Sequence, residues 1–166
     1  VRNVDCDTLE GEINQFADGK VEVEGLRLAT YEMVERVKEH PASKTYRLDL
    51  RLGESVPEET FEAALDDLRG ATIEQETPQR VDHRRASKTR IREVYDVSGS
   101  LSGEREATLE VHGEGGLYVK ELANGDEGRT EPSLAGLLGV DLEVRALDVL
   151  EVSGEDERFE DEAFFQ

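Results

Sequence analysis

Lys44-Thr45-Tyr46-Arg47-Leu48-Asp49-Leu50-Arg51-Leu52-Gly53 is the stretch on which the fold turns. Tyr46, Leu48, Leu50 and Leu52 fall on one face, and Thr45, Arg47, Asp49 and Arg51 on the other. Side chains alternate across a strand, so this period of two predicts a half-buried antiparallel strand over Lys44–Leu52, ended by Gly53. Directly after it, Ser55 and Glu58 have capping-box spacing and Pro57 suits a first helical turn. Phe61, Ala64, Leu65 and Leu68 then form a buried helical stripe, with Gly70 at the C-cap.

Upstream, Leu9, Ile13 and Phe16 predict a short helix over Thr8–Ala17, and Asp18-Gly19 a turn. Val21 and Val23 predict a strand over Lys20–Leu28. Thr30 is placed to cap a helix reaching about His40, with Tyr31, Val34 and Val37 or Lys38 along one side and Pro41 as its stop. Downstream, Ala71–Gln75 reads as a strand. Arg90–Val97 and Ala107–Val111 read as a hairpin around Ser98-Gly99-Ser100-Leu101-Ser102-Gly103. Tyr118–Ala123 reads as helical. Thr130 or Ser133 caps a helix through Leu138 that Gly139 closes, and Val140–Val152 is a last strand. Helices interspersed among hairpin-like strands predict an α+β fold with a mixed, mainly antiparallel sheet flanked by short helices. Residues 1–150 are expected to form one domain or most of one. The tail at 151–166 carries seven acids against one arginine and is expected to fray.

The chain has 166 residues, 36% of them hydrophobic and spread in short periodic runs, which supports a packed core. No apolar run approaches the roughly 20 residues that span a bilayer, so no membrane association is expected. The single cysteine, Cys6, and three scattered histidines give no short metal motif, and no metal is expected. The sequence starts at Val1 without methionine or an apolar leader, and is expected to be the later part of a longer or processed protein.

The net charge is −20, made of 40 acids against 20 basic residues, only five of them lysine. An acidic, lysine-poor surface suits concentrated salt, where screening removes its self-repulsion, and predicts a halophile's cytoplasmic protein. Within it, Arg80 to Arg92 inverts the sign. Arg80, Arg84, Arg85, Lys88, Arg90 and Arg92 face one acid, Asp82, for a local +5. That segment either attracts nucleic-acid phosphates or pairs with the protein's own carboxylates, and charge alone favours neither.

Gly115-Gly116-Leu117-Tyr118-Val119-Lys120-Glu121-Leu122-Ala123-Asn124-Gly125-Asp126-Glu127-Gly128-Arg129-Thr130 is the other notable stretch, a glycine-rich run around a rare lysine. Its glycines allow the close approach and positive φ that a ligand loop uses, yet they lack the spacing of a phosphate-binding glycine loop. Tyr46 and Tyr118 are candidate stacking platforms; periodicity alone favours Tyr46 as a core residue continuing the Leu48, Leu50 and Leu52 face, and the alternative for Tyr118 is a packing residue at a helix start. Lys120 is a candidate functional cation or an ordinary surface lysine.

Lys44-Thr45-Tyr46-Arg47, on a strand ending Arg51-Leu52-Gly53, resembles the tyrosine motif of pseudouridine synthases, closely that of the TruB-type enzymes acting on the TΨC loop of tRNA. Gly116-Leu117-Tyr118-Val119-Lys120-Glu121-Leu122 resembles a later motif of the family. Asn124 to Ser133, His83-Arg84-Arg85-Ala86 and Leu147-Asp148-Val149 are similar to the archaeal and eukaryotic branch that modifies uridines 54 and 55. The likeness covers essentially the whole chain, in order.

The resemblance implies a cofactor-free isomerisation of uridine to pseudouridine, with the TΨC arm of tRNA as partner and no protein partner evident. It implies that Tyr46 lies against the flipped uridine, that Tyr118 lines the substrate pocket, and that Lys120 pairs with a nucleophilic aspartate. An extruded base needs an aromatic platform, and a nearby cation keeps a carboxylate ionised. Arg80, Arg84, Arg85, Lys88, Arg90 and Arg92 are the residues expected at the RNA. The family's Gly-Arg-Glu-Asp-x-Asp-Val-Arg type segment has no counterpart here; Asp5 and Asp7 lack its glycines and arginines. The nucleophile is therefore expected before Val1, and this chain alone is expected to be inactive. A non-catalytic RNA-binding or accessory module of the same fold, and an acidic protein-interaction domain without an RNA role, are the readings from other classes.

Overall fold

The computed structural model describes residues 4–39 and 42–154, which belong to two separate units. In the first, α1 (Cys6–Ala17) ends at Asp18 in the left-handed region, and α2 (Tyr31–Glu39) begins after Thr30. The Thr30 hydroxyl accepts from the Met33 amide at 3.2 Å, the cap its residue type predicts.

The expected strand over Lys20–Leu28 does not form; those residues are irregular. Two α1 side chains supply what a neighbouring strand would. The Asn14 amide bonds both the N–H and the carbonyl of Val23 at 2.7 Å, and Glu10 accepts from the Leu26 amide at 2.9 Å. Alternation describes a face, but a strand needs a partner for its backbone groups. The apolar stripes expected of the two helices also differ. Phe16 is 94% exposed, Tyr31, Val34 and Val37 are exposed, and Met33 of α2 is buried. The predicted stop at Pro41 lies outside the described residues.

Residues 42–154 form an α+β unit around a six-stranded sheet in the order β5-β2-β3-β4-β1-β6, with every pairing antiparallel. The strands are β1 (Ser43–Leu52), β2 (Thr72–Glu76), β3 (Thr89–Gly103), β4 (Glu106–Gly113), β5 (Thr130–Glu131) and β6 (Leu142–Ser153). β1 carries the predicted alternation: Leu48, Leu50 and Leu52 are buried, Arg47, Asp49 and Arg51 exposed. The β3–β4 hairpin is longer than expected. Ser98–Gly103 continues the strand and the turn falls at Glu104-Arg105. Gly99 permits this, because a Cβ there would meet the Thr108 carbonyl oxygen at 2.6 Å.

Helices α3 (Glu58–Leu68), α4 (Val119–Asn124) and α5 (Leu134–Leu138) share one core with the sheet. α3 buries Phe61, Ala64, Leu65 and Leu68 as its stripe predicts and packs against β3 and α5. Its capping box does not form. The helix starts one residue after Pro57, whose carbonyl accepts from the Thr60 and Phe61 amides without any side-chain cap. Gly70 is left-handed (φ 70°) just past the cap residue Arg69, and its amide donates to Val94. In α5, the Ser133 hydroxyl caps the Gly136 amide at 3.1 Å and Gly139 closes the helix, while Thr130 sits in β5. β6 runs through Ser153, paired with Ser43–Thr45; residues 155–166 of the acidic tail lie outside the described residues. No helix of the described residues is long and apolar enough to cross a membrane.

Candidate active site

The turn that follows β4 presents Tyr118. Gly113 leaves room for Leu117, whose Cδ2 would lie 2.5 Å from a Cβ at that position. Gly116 takes φ 88°, which L side chains rarely adopt, and a Cβ there would also press on the Arg92 guanidinium at 3.1 Å. That guanidinium donates to the Gly115 carbonyl at 3.0 Å and lies 3.9 Å from the Glu114 carboxylate. These glycines therefore seat a side chain of the protein itself.

The main chain of Tyr118 is gripped from β2. Gln75, fully buried, accepts from the Tyr118 N–H and donates to its carbonyl, both at 2.9 Å, and donates more weakly to Thr130 Oγ1 at 3.3 Å. Its primary amide thus imitates one rung of a β-ladder, fixing the start of α4 against the sheet. The half-buried Tyr118 ring lies near two cations, with Arg90 Cζ 5.5 Å and Arg80 Cζ 5.9 Å from its centroid. Both distances are within cation–π range. Arg90 donates to Thr77 Oγ1 at 2.9 Å and the Lys88 carbonyl at 3.2 Å. Arg80 forks onto the buried Glu121 carboxylate at 2.6 and 3.2 Å. Those bonds raise the Arg80 pKa above its usual value against the opposing effect of partial burial, so it stays cationic.

α4 sorts its residues by face. Val119, Glu121, Leu122 and Ala123 are buried, and Lys120 projects to solvent with no side-chain partner among the described residues. Beyond it, Asp126 (φ 44°) and Glu127 (φ 57°) are consecutive left-handed residues, a strain of roughly 1–2 kcal/mol each. Asn124 Oδ1 accepts from the Asp126 amide at 3.0 Å, and the Gln79 amide and side chain bond Asp126 and Glu127 at 3.0 and 2.9 Å. The loop is so fastened to the 3-10 turn Gln79–Arg84 that carries Arg80.

Tyr46 lies on β1 opposite Val111 of β4 and Val149 of β6, beside a register shift, and packs half-buried on the same core as α4. Burial pushes its phenol pKa up, so the hydroxyl is neutral in ordinary buffers. The six basic residues divide. Arg80 and Arg92 meet the carboxylates of Glu121 and Glu114, Arg90 meets neutral acceptors, and Arg84, Arg85 and Lys88 are exposed with no ion pair among the described residues.

Gln75, Thr77 and Glu121 were not anticipated from the sequence. Gln75 did leave a signal: it follows Ile73 at period two, so it shares that residue's buried face, where an amide must find partners. Glu121 left none, since its partner is 41 positions away. An open groove of about 1130 Å³ runs along β5, but its lining includes Glu74, Glu76, Glu127, Glu131 and Asp141, the wrong sign for phosphates, and none of Tyr46, Tyr118 or Lys120.

Residues 1–153 match the family model described as Pus10, C-terminal. The chain is 62% identical over 165 residues to the tRNA pseudouridine synthase Pus10 of Halorubrum lacusprofundi, covering 99% of this chain and 39% of that protein. It is 42% identical over 151 residues to the enzyme of the same name from Pyrococcus furiosus, covering 91% of this chain and 38% of that one. The chain thus spans about two fifths of these relatives' lengths. Among solved structures, a chain of a Cbf5–Nop10–Gar1 complex superposes with a TM-score of 0.59 at 25% identity, over 74% of this chain and 35% of that one. A chain of the archaeal box H/ACA sRNP Nop10–Cbf5 complex shares the fold, with a TM-score of 0.54 at 18% identity, over 92% and 46%.

Proposed function

The chain belongs to the Pus10 C-terminal family, and from that premise we propose that the full-length protein isomerises uridine to pseudouridine at positions 54 and 55 in the TΨC loop of tRNA. The glycosidic bond from C1′ to N1 breaks and one from C1′ to C5 forms, while a proton leaves C5 and N1 gains one. The change is redox-neutral and calls for no electron carrier. An aspartate from the remainder of the full-length protein is the nucleophile, and Lys120 is the cation that keeps it ionised.

The observation that supports this reading is the Tyr118 seat itself: a half-exposed ring fixed through its main chain, with guanidiniums near it and, at the next position but one, an exposed lysine without a partner among the described residues. A base taken out of its stack needs such a platform. Tyr46 supplies the second aromatic surface, and Arg84, Arg85, Lys88 and Arg90 face the tRNA backbone. The protein works in the cytoplasm of a salt-accumulating cell. There each phosphate contact loses roughly 0.7–0.9 log units of affinity per decade of salt, whereas stacking keeps about 1–3 kcal/mol per base.

Single-turnover conversion by the full-length protein, on a tRNA bearing both uridines, tests the assignment. Lys120→Ala should lower the rate about 100-fold or more, the size of effect seen when one charge-stabilising group is removed. Tyr46→Ala should lower it by about 10- to 100-fold, the loss of one stacking contact. Wild-type rates in both folded variants would remove these roles.

A further inference from the structure

We infer that Glu121 is a positioning residue: by holding Arg80 beside the Tyr118 ring it withdraws that guanidinium's charge from the RNA, and leaves Arg90 as the phosphate contact at the seat. The inference rests on the functional reading above and adds a division of labour within the basic segment.

Three observations carry it. The Glu121 side chain is only 4% exposed, whereas Arg80 is 48% exposed, so the carboxylate lies beneath the arginine with Arg80 as its partner. The contact is a fork of two bonds, 2.6 and 3.2 Å, which fixes the plane of the guanidinium as well as its place. Arg80 and Arg90 lie at almost equal distances from the same ring, 5.9 and 5.5 Å, yet among the described residues Arg90 bonds only to a hydroxyl and a carbonyl. An approaching phosphate therefore meets a neutral pair at Arg80 and a full positive charge at Arg90. The fork also ties the Gln79–Arg84 turn to α4, so the ring is bounded by a side chain that neither solvent nor RNA needs to order.

Salt dependence separates the two arginines, because each phosphate contact adds about 0.7–0.9 to the slope of log affinity against log salt. The full-length protein and its tRNA are titrated in KCl across the range where circular dichroism shows the fold intact, and single-turnover rates are taken with enzyme saturating. Arg90→Gln should reduce the slope by about 0.7–0.9. The double variant Arg80→Gln/Glu121→Gln keeps hydrogen-bonding groups at the buried position. It should leave the slope unchanged and lower the saturated rate about tenfold. Glu121→Gln alone should lower the rate while binding stays equal or tightens, since Arg80 is then unmasked; general damage to the fold would instead weaken both.

A slope that falls in the double variant as far as in Arg90→Gln would overturn the assignment of charge, and a wild-type saturated rate would overturn positioning. Wild-type protein that binds tRNA but forms no pseudouridine refutes the functional reading instead, and the two slopes still decide which arginine meets phosphate.

Discussion

Replacing Gln75 by methionine isolates the clamp on Tyr118. Methionine has nearly the same length and fills the same fully buried space, so the perturbation is the loss of polar groups rather than of volume. The Tyr118 carbonyl keeps one partner, since it also accepts from the Leu122 amide at 3.0 Å. Its N–H loses the acceptor it has at 2.9 Å. An unsatisfied partly buried N–H costs about 1–3 kcal/mol, and the lost bond to the carbonyl about 0.5–1.5 kcal/mol more. The expected destabilisation is about 2–4 kcal/mol, a large part of the roughly 5–15 kcal/mol that holds a domain together. Hydrogen exchange on the intact protein reads it locally. Amides of residues 118–122 should lose about 30- to 1000-fold in protection, at 1.4 kcal/mol per decade. Glu74→Gln, one residue earlier on the exposed face, should change protection by less than about threefold. Unaltered protection at residues 118–122 in the methionine variant would refute the clamp.

Two further outcomes test the packing of the sheet. Burial raises the Tyr46 pKa above its ordinary value of 10.0, so the folded protein holds that proton more tightly than the unfolded chain. Its contribution is complete below pH 10.0 and declines as pH rises from there through the folded-state value; Tyr46→Phe should flatten this alkaline loss in thermal melts, and an unchanged slope would show the phenol is not the titrating group. Gly99→Ala puts a Cβ 2.6 Å from a backbone oxygen of β4 that no rotamer change can move. It should cost about 1–3 kcal/mol by chemical denaturation, and a stability equal to wild type would mean the hairpin adjusts freely.

Periodicity by itself determined much of the sheet unit. Leu48, Leu50 and Leu52 on one face of β1, the Phe61–Leu68 stripe of α3 and the Gly139 closure all follow from signals within a few residues of one another, whereas the choice of Ser133 over Thr130 as the α5 cap came with the pairing of Thr130 in β5. Tyr46, Tyr118 and Lys120 are singled out by the resemblance instead, because the pattern around Tyr46 reads as core, that around Tyr118 as packing at a helix start, and Lys120 as a surface lysine. What the sequence could not decide was partnership. Lys20–Leu28 alternates like a strand, but Asn14 and Glu10 take its backbone groups and no ladder forms. Ser98–Gly103 has turn composition, yet β4 is long enough to pair with it. The same limit divides the glycine-rich stretch and the basic segment. Local spacing marks where a charge is, but only the approach of distant segments neutralises Arg80 on Glu121 and leaves Arg90 on neutral acceptors. A side chain's face is set by its neighbours in sequence. Its charge balance is set by what the fold brings against it.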